Sequence, residues 1–151
     1  MTQFTFYEIY KDVMEMLDDD ATRGQFMKAI CKFMFEEEPV KPPKGNKSEY
    51  FWENIIDVMT ESKEAEKNGN RPKRLNMKMK HFTFQYAYYK AILLMTDEEI
   101  WQYIKAIYGY MVDGVEPTDR MSKRQGEYAA VKRFRLHDFL SLYTRACFPH
   151  R

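Results

Sequence analysis

The sequence predicts an all-α chain made of two similar helix-rich repeats, about three helices each, packed into one compact helical body. Three observations predict it. Apolar residues recur at helical spacing through most of the chain, a stretch near the start returns after residue 80, and a polar basic segment separates the two copies. The 151 residues suit one domain-sized body that buries roughly two-thirds of its unfolded surface. Hydrophobic content of 44% is near the globular norm, whereas 16% aromatic, with 11 Tyr and 11 Met, is high and argues against disorder.

The elements follow in order. Over residues 6–17, Phe6, Ile9, Tyr10, Val13, Met14 and Leu17 form one apolar stripe, so this stretch reads as a helix. Asp18, Asp19 and Asp20 supply capping oxygens and negative charge at the start of a second helix, which buries Phe26, Met27, Ile30, Phe33 and Met34. "EEEPVKPPKGNK" breaks regularity. Ser48 is the expected N-cap of a third helix carrying Trp52, Ile55, Ile56 and Met59 at i, i+3, i+4 and i+7; its polar tail either projects into solvent or frays, with Gly69 as its stop.

Residues 1–69 thus form the first repeat, and 70–81 form a basic linker. The second repeat, 82–151, begins with a copy of the first helix over 82–95. Thr96 and Glu99 make a capping-box signature ahead of an amphipathic helix with Ile100, Ile104, Ile107, Tyr108 and Met111, which Gly114 ends. A last helix is predicted over 127–148, with Pro149 closing it. "MTQFTF" and "MKMKHFTF" alternate polar and apolar residues, so a brief strand before each repeat's first helix, the two pairing with each other, is the alternative to an all-helical reading.

Aligning Phe4 with Phe82 matches Thr5 with Thr83, Phe6 with Phe84, Tyr10 with Tyr88, Asp19 with Asp97, Ile30 with Ile107, Met34 with Met111 and Pro39 with Pro117. Most matches fall at core and cap positions, as expected of a duplicated unit whose copies bury their stripes against each other. The pattern F-x-F-Y-x-x-Y, an acidic cap ("LDDD", "MTDEE"), a helix with "KAI" and an aromatic-Met pair, then Pro, resembles a family of small uncharacterised helical proteins of phages and prophages, here as two tandem copies. The resemblance implies a phage or mobile-element origin and no catalytic activity. The chain departs from it in lacking the usual basic-Gly tail and in having Glu37 where the second copy has Gly114.

Net charge is +1, but the acids are gathered early: residues 1–40 carry nine acids and four bases. Arg71, Lys73, Arg74, Lys78 and Lys80 fall within ten residues with no acid among them, and Arg120, Lys123, Arg124, Lys132, Arg133 and Arg135 gather in the second repeat around Glu127 alone. Both clusters suit phosphate or an acidic protein surface. Ordinary solvated faces explain either cluster as well, and aromatics interleave poorly with them, which disfavours stacking on single strands. Tyr86, Tyr88, Tyr89, Tyr103, Tyr108 and Tyr110 exceed what one stripe needs. Burial is the main expectation for them, with some on a recognition surface.

No phosphate loop, nucleophile elbow, zinc-hydrolase helix or Cys pair at metal spacing is present. His137 beside Asp138 reads as a solvated helix pair, Cys147 as a structural thiol, and the acidic runs as caps; His81 and His150 stand apart, and no cofactor or metal is expected. Cys31 and Cys147 are too few for a disulfide framework, and no signal peptide or membrane-spanning run appears. The expectation is a cytoplasmic protein of the bacterial host, monomer or homodimer. It is non-enzymatic and phage-encoded, docking on a host or phage machine of nucleic-acid metabolism or antiviral defence as an inhibitor of the anti-CRISPR type. A nucleic-acid-binding replication accessory using the two basic clusters is the alternative, and a small-molecule sponge between the repeats is a third reading.

Overall fold

The computed structural model describes residues 1–36, 40–41, 44–69 and 78–115, so the helix predicted over 127–148, together with His137, Cys147 and His150, lies outside the described residues. The elements are β1 (Gln3–Tyr7), α1 (Glu8–Glu15), α2 (Asp20–Phe35), α3 (Asn46–Lys67), β2 (His81–Gln85), α4 (Tyr86–Ile92) and α5 (Asp97–Asp113). The described residues are mostly helical, with one two-stranded sheet, β1 beside β2. A strictly helical reading is therefore corrected: both F-x-F stretches are strands, and they pair with each other. Residues two apart point to nearly opposite sides of a helix but to the same side of a strand. Only as strands can Phe4, Phe6, Phe82 and Phe84 all enter the core, and all four are buried.

The register is antiparallel, pairing Phe4 with Phe84, Thr5 with Thr83 and Phe6 with Phe82. The rings of the two Phe pairs lie 5.1 and 5.2 Å apart, and each buried Phe contributes about 1.5–3 kcal/mol. The ladder continues past both strand ends, where the Glu8 and Tyr86 amides donate to the Lys80 and Thr2 carbonyls, each at 2.9 Å.

Below the sheet, α2 and α5 make the most extensive helix–helix contact. Asp19 caps α2, its carboxylate accepting from the Thr22 amide at 2.7 Å. The expected capping box starts α5: Thr96 Oγ1 accepts from the Glu99 amide and Glu99 Oε1 from the Thr96 amide. Gly114, at φ 73°, ends that helix in the left-handed region that glycine tolerates. Gly24 sits where the helices cross, and a Cβ there would lie 1.9 Å from the Asp97 carbonyl oxygen. On either side of the crossing the same bond is made in each direction, Gln25 donating to Asp97 at 3.1 Å and Gln102 to Asp20 at 3.0 Å.

α3 starts at Asn46, two residues before the expected cap, after Gly45 at φ 126°; Ser48 is buried inside it. Its polar tail neither frays nor leaves the body but remains helical to Lys67. Trp52 holds α3 to α2 through edge contacts with Phe26 and Phe33, Ile30, Ile55 and Ile107 are buried as expected, and Trp101 is buried with them. The tyrosine surplus goes mainly inward. Of the six tyrosines singled out in the sequence, Tyr88, Tyr89, Tyr103 and Tyr108 are buried, Tyr110 is half-buried and Tyr86, at 41%, is exposed.

Candidate functional site

The ribbon formed by β1 and β2 has two long edges, and the structure treats them differently. Because the pairs Thr2–Tyr86 and Glu8–Lys80 are hydrogen-bonded, the alternation of an antiparallel ladder makes Phe4–Phe84 and Phe6–Phe82 hydrogen-bonded pairs too. The backbone groups of Gln3, Thr5 and Tyr7 therefore point outward from β1, and those of His81, Thr83 and Gln85 outward from β2. On the β1 side, the Thr5 amide donates to Glu66 Oε1 of α3. The tail of α3 closes that edge with a carboxylate. On the β2 side no described residue bonds the outward amides of His81, Thr83 and Gln85. His81 is exposed and Thr83 and Gln85 are half-buried, so the edge is reachable.

Glu66 does this from a partly dry site. Burial raises its carboxyl above the usual carboxylate range, and the Thr5 hydrogen bonds oppose the rise. Its second oxygen, with Tyr10 Oη and Ser62 Oγ, is buried without a well-formed hydrogen bond. Burial pushes the Tyr10 phenol far up, the Ser62 hydroxyl opposes this, and the Tyr7 and Glu66 charges add to it. Between the tail of α3 and the start of β1 lies an open cleft of about 540 Å³, lined by Gln3, Thr5, Thr83, Glu66 and Lys67. A second, of about 550 Å³, lies between α2 and α4 among Lys28, Lys32, Lys41, Tyr89 and Leu93. In it the Tyr89 hydroxyl donates to Glu36 at 3.1 Å, and Lys28 pairs with Asp97 at 3.0 Å.

Of the basic residues singled out in the sequence, Lys78 and Lys80 are described. Both are exposed on the three residues that lead into β2, and Lys80 lies 3.7 Å from Asp113. Arg71, Lys73, Arg74, Arg120, Lys123, Arg124, Lys132, Arg133 and Arg135 lie outside the described residues. His81, placed at the end of the basic linker by sequence, is the first residue of β2, its Nδ1 3.0 Å from the Met79 carbonyl oxygen. The sequence reading assigns Glu66 and Thr83 no place in a site. Their roles depend on backbone groups far away along the chain, and no local pattern signals them.

Among the described residues no group of His, Cys, Asp and Glu is arranged to hold a metal ion, and no helix is long and apolar enough to cross a membrane. Cys31 is fully buried, which pushes its thiol well up, away from the reactive thiolate. Comparison with family models, curated proteins and solved structures found no match, so the function is read from the chain's own surface.

Proposed function

We propose that the chain is a non-enzymatic docking protein of phage type, a tandem duplication of one strand–helix–helix unit, which engages a protein of a nucleic-acid-handling or antiviral machine through β2. The open β2 edge carries the reading. Among the described residues the outward amides of His81, Thr83 and Gln85 and the carbonyls of His81 and Thr83 have no partner, on a reachable rim of the kind to which an extended segment of a partner adds as a further strand. The duplication is supported by the order strand, short helix, long helix occurring twice, by the exchange of β1 and β2 about an axis between Thr5 and Thr83, and by the matched Gln–Asp bonds of α2 and α5.

The test substitutes Thr83→Pro. The Thr83 amide faces away from β1, so proline removes an edge donor while leaving the β1–β2 ladder intact. A host protein captured by the wild-type chain, then purified, should bind wild type and not the folded variant, and should protect the His81, Thr83 and Gln85 amides from exchange. Equal binding by both would refute docking at this edge.

One observation favours nucleic acid as a second reading. Lys78 and Lys80 stand exposed at the entrance to the ribbon, on the cluster that also holds Arg71, Lys73 and Arg74. Binding through five phosphate contacts should weaken on the order of a hundredfold between about 50 and 200 mM salt, and replacing the five residues with Ser should flatten that slope. Absence of DNA binding at the lower salt would remove this reading.

A further inference from the structure

We infer that in the free protein a second copy of the chain occupies the β2 edge, β2 pairing antiparallel with β2 of its partner about Thr83 to give a four-stranded sheet. This rests on the reading of the β2 edge as the docking element and names its resting occupant. The first support is the asymmetry of the edges. β1 cannot pair in this way, because Glu66 already holds the Thr5 amide. Among the described residues nothing holds the Thr83 amide as Glu66 holds that of Thr5.

The second support is that the edge complements itself. Turning one copy about Thr83 sets Thr83 against Thr83 of the second copy and His81 against Gln85, so that each Thr83 amide meets the other copy's Thr83 carbonyl and each Gln85 amide the other copy's His81 carbonyl, while the Gln85 carbonyl stays with the first turn of α4. On the core face Phe82 falls opposite Phe84 of the second copy, extending the rows already formed by Phe4 with Phe84 and Phe6 with Phe82. At the ends Lys80, 59% exposed, falls opposite Tyr86, 41% exposed, so no two like charges face each other and a cation meets an aromatic ring. A strand edge left open this way invites addition of another strand, and pairing within a closed dimer satisfies it without a fibre. A partner protein's strand would compete with the second copy for the same bonds.

Analytical ultracentrifugation from low micromolar to millimolar concentration tests this. The wild-type chain should pass from monomer to dimer, and folded Thr83→Pro should remain monomeric throughout. Thr83→Lys serves if the proline variant does not fold, since it places two ammonium groups face to face on the two-fold axis without touching the β1–β2 backbone. A wild-type chain that stays monomeric to millimolar concentration overturns the inference, as does dimerisation of a folded variant at the wild-type concentration. If the chain is monomeric but its binding of a purified partner still requires Thr83, self-pairing falls and the docking reading stands. Partner binding indifferent to Thr83 removes the docking reading itself.

Discussion

Gly24→Ala is a substitution whose sign depends on the α2–α5 crossing. In a solvent-facing helix interior it gains about 1 kcal/mol, because alanine restricts the unfolded backbone more than glycine does. At this position the new Cβ would lie 1.9, 2.6 and 2.8 Å from O, C and Cα of Asp97. All three are backbone atoms in the first turn of α5, so no side chain can swing away and the helices must part. Overpacking of this kind costs about 1–3 kcal/mol. Parting also stretches the Gln25–Asp97 and Gln102–Asp20 bonds, each contributing about 1 kcal/mol. Set against the helix gain, the net loss is about 2–4 kcal/mol, or about 4–16 °C in Tm for a chain of this length. Urea titration followed by far-UV circular dichroism measures it. A variant as stable as wild type, or more stable, would mean that α2 and α5 do not meet at Gly24.

Three further substitutions probe separate parts of the fold. Ile107→Ala empties a buried site on α5 and should cost about 2–5 kcal/mol in the same titration; a loss under about 1 kcal/mol would place Ile107 outside the core. Thr96→Ala removes half of the capping box and should cost about 1 kcal/mol, with no loss refuting the cap. Glu66→Gln keeps an acceptor for the Thr5 amide and removes a partly buried charge. Because the folded carboxyl titrates above its ordinary value of 4.5, its contribution to stability is present below that value and is lost as pH rises through the raised one. Melting curves should therefore show the Gln variant gaining on wild type as pH rises from about 4 to 8. A variant that falls further behind at high pH would contradict the burial of Glu66.

The parts of the fold legible in the sequence are those whose signals are local. Thr96 with Glu99, Asp19 with Thr22, and Gly114 each act within one helical turn, and each is found where its spacing puts it. The strands were legible only as an alternative. Five residues of alternation run straight into helical periodicity, since Phe6 also fits the stripe of Tyr10, Val13 and Met14, and the strand that decides the matter lies in the other half of the chain. The tail of α3 read as solvated because Glu66 is polar among polar neighbours. Its role rests on the amide of Thr5, which no side-chain pattern encodes. The open edge of β2 is a property of backbone groups alone, invisible until the register is known. The burial expected for most of the surplus tyrosines is found: Tyr88 and Tyr108 pack edge-on against Phe84 and against Phe6 and Phe82, filling the space between helices and ribbon.

The central claim is that β1 is closed and β2 is open, and amide hydrogen exchange resolved to single residues tests it most directly. In the dilute monomer the Thr5 amide, held by Glu66, should exchange slowly with the ladder amides of Phe4, Phe6, Phe82 and Phe84, while Thr83 exchanges as fast as an exposed loop. Raising the concentration, or adding a partner that pairs with β2, should slow Thr83 and leave Thr5 unchanged. Equal protection of Thr5 and Thr83 in the dilute chain, or a Thr83 rate that neither self-association nor a bound partner alters, would contradict the account.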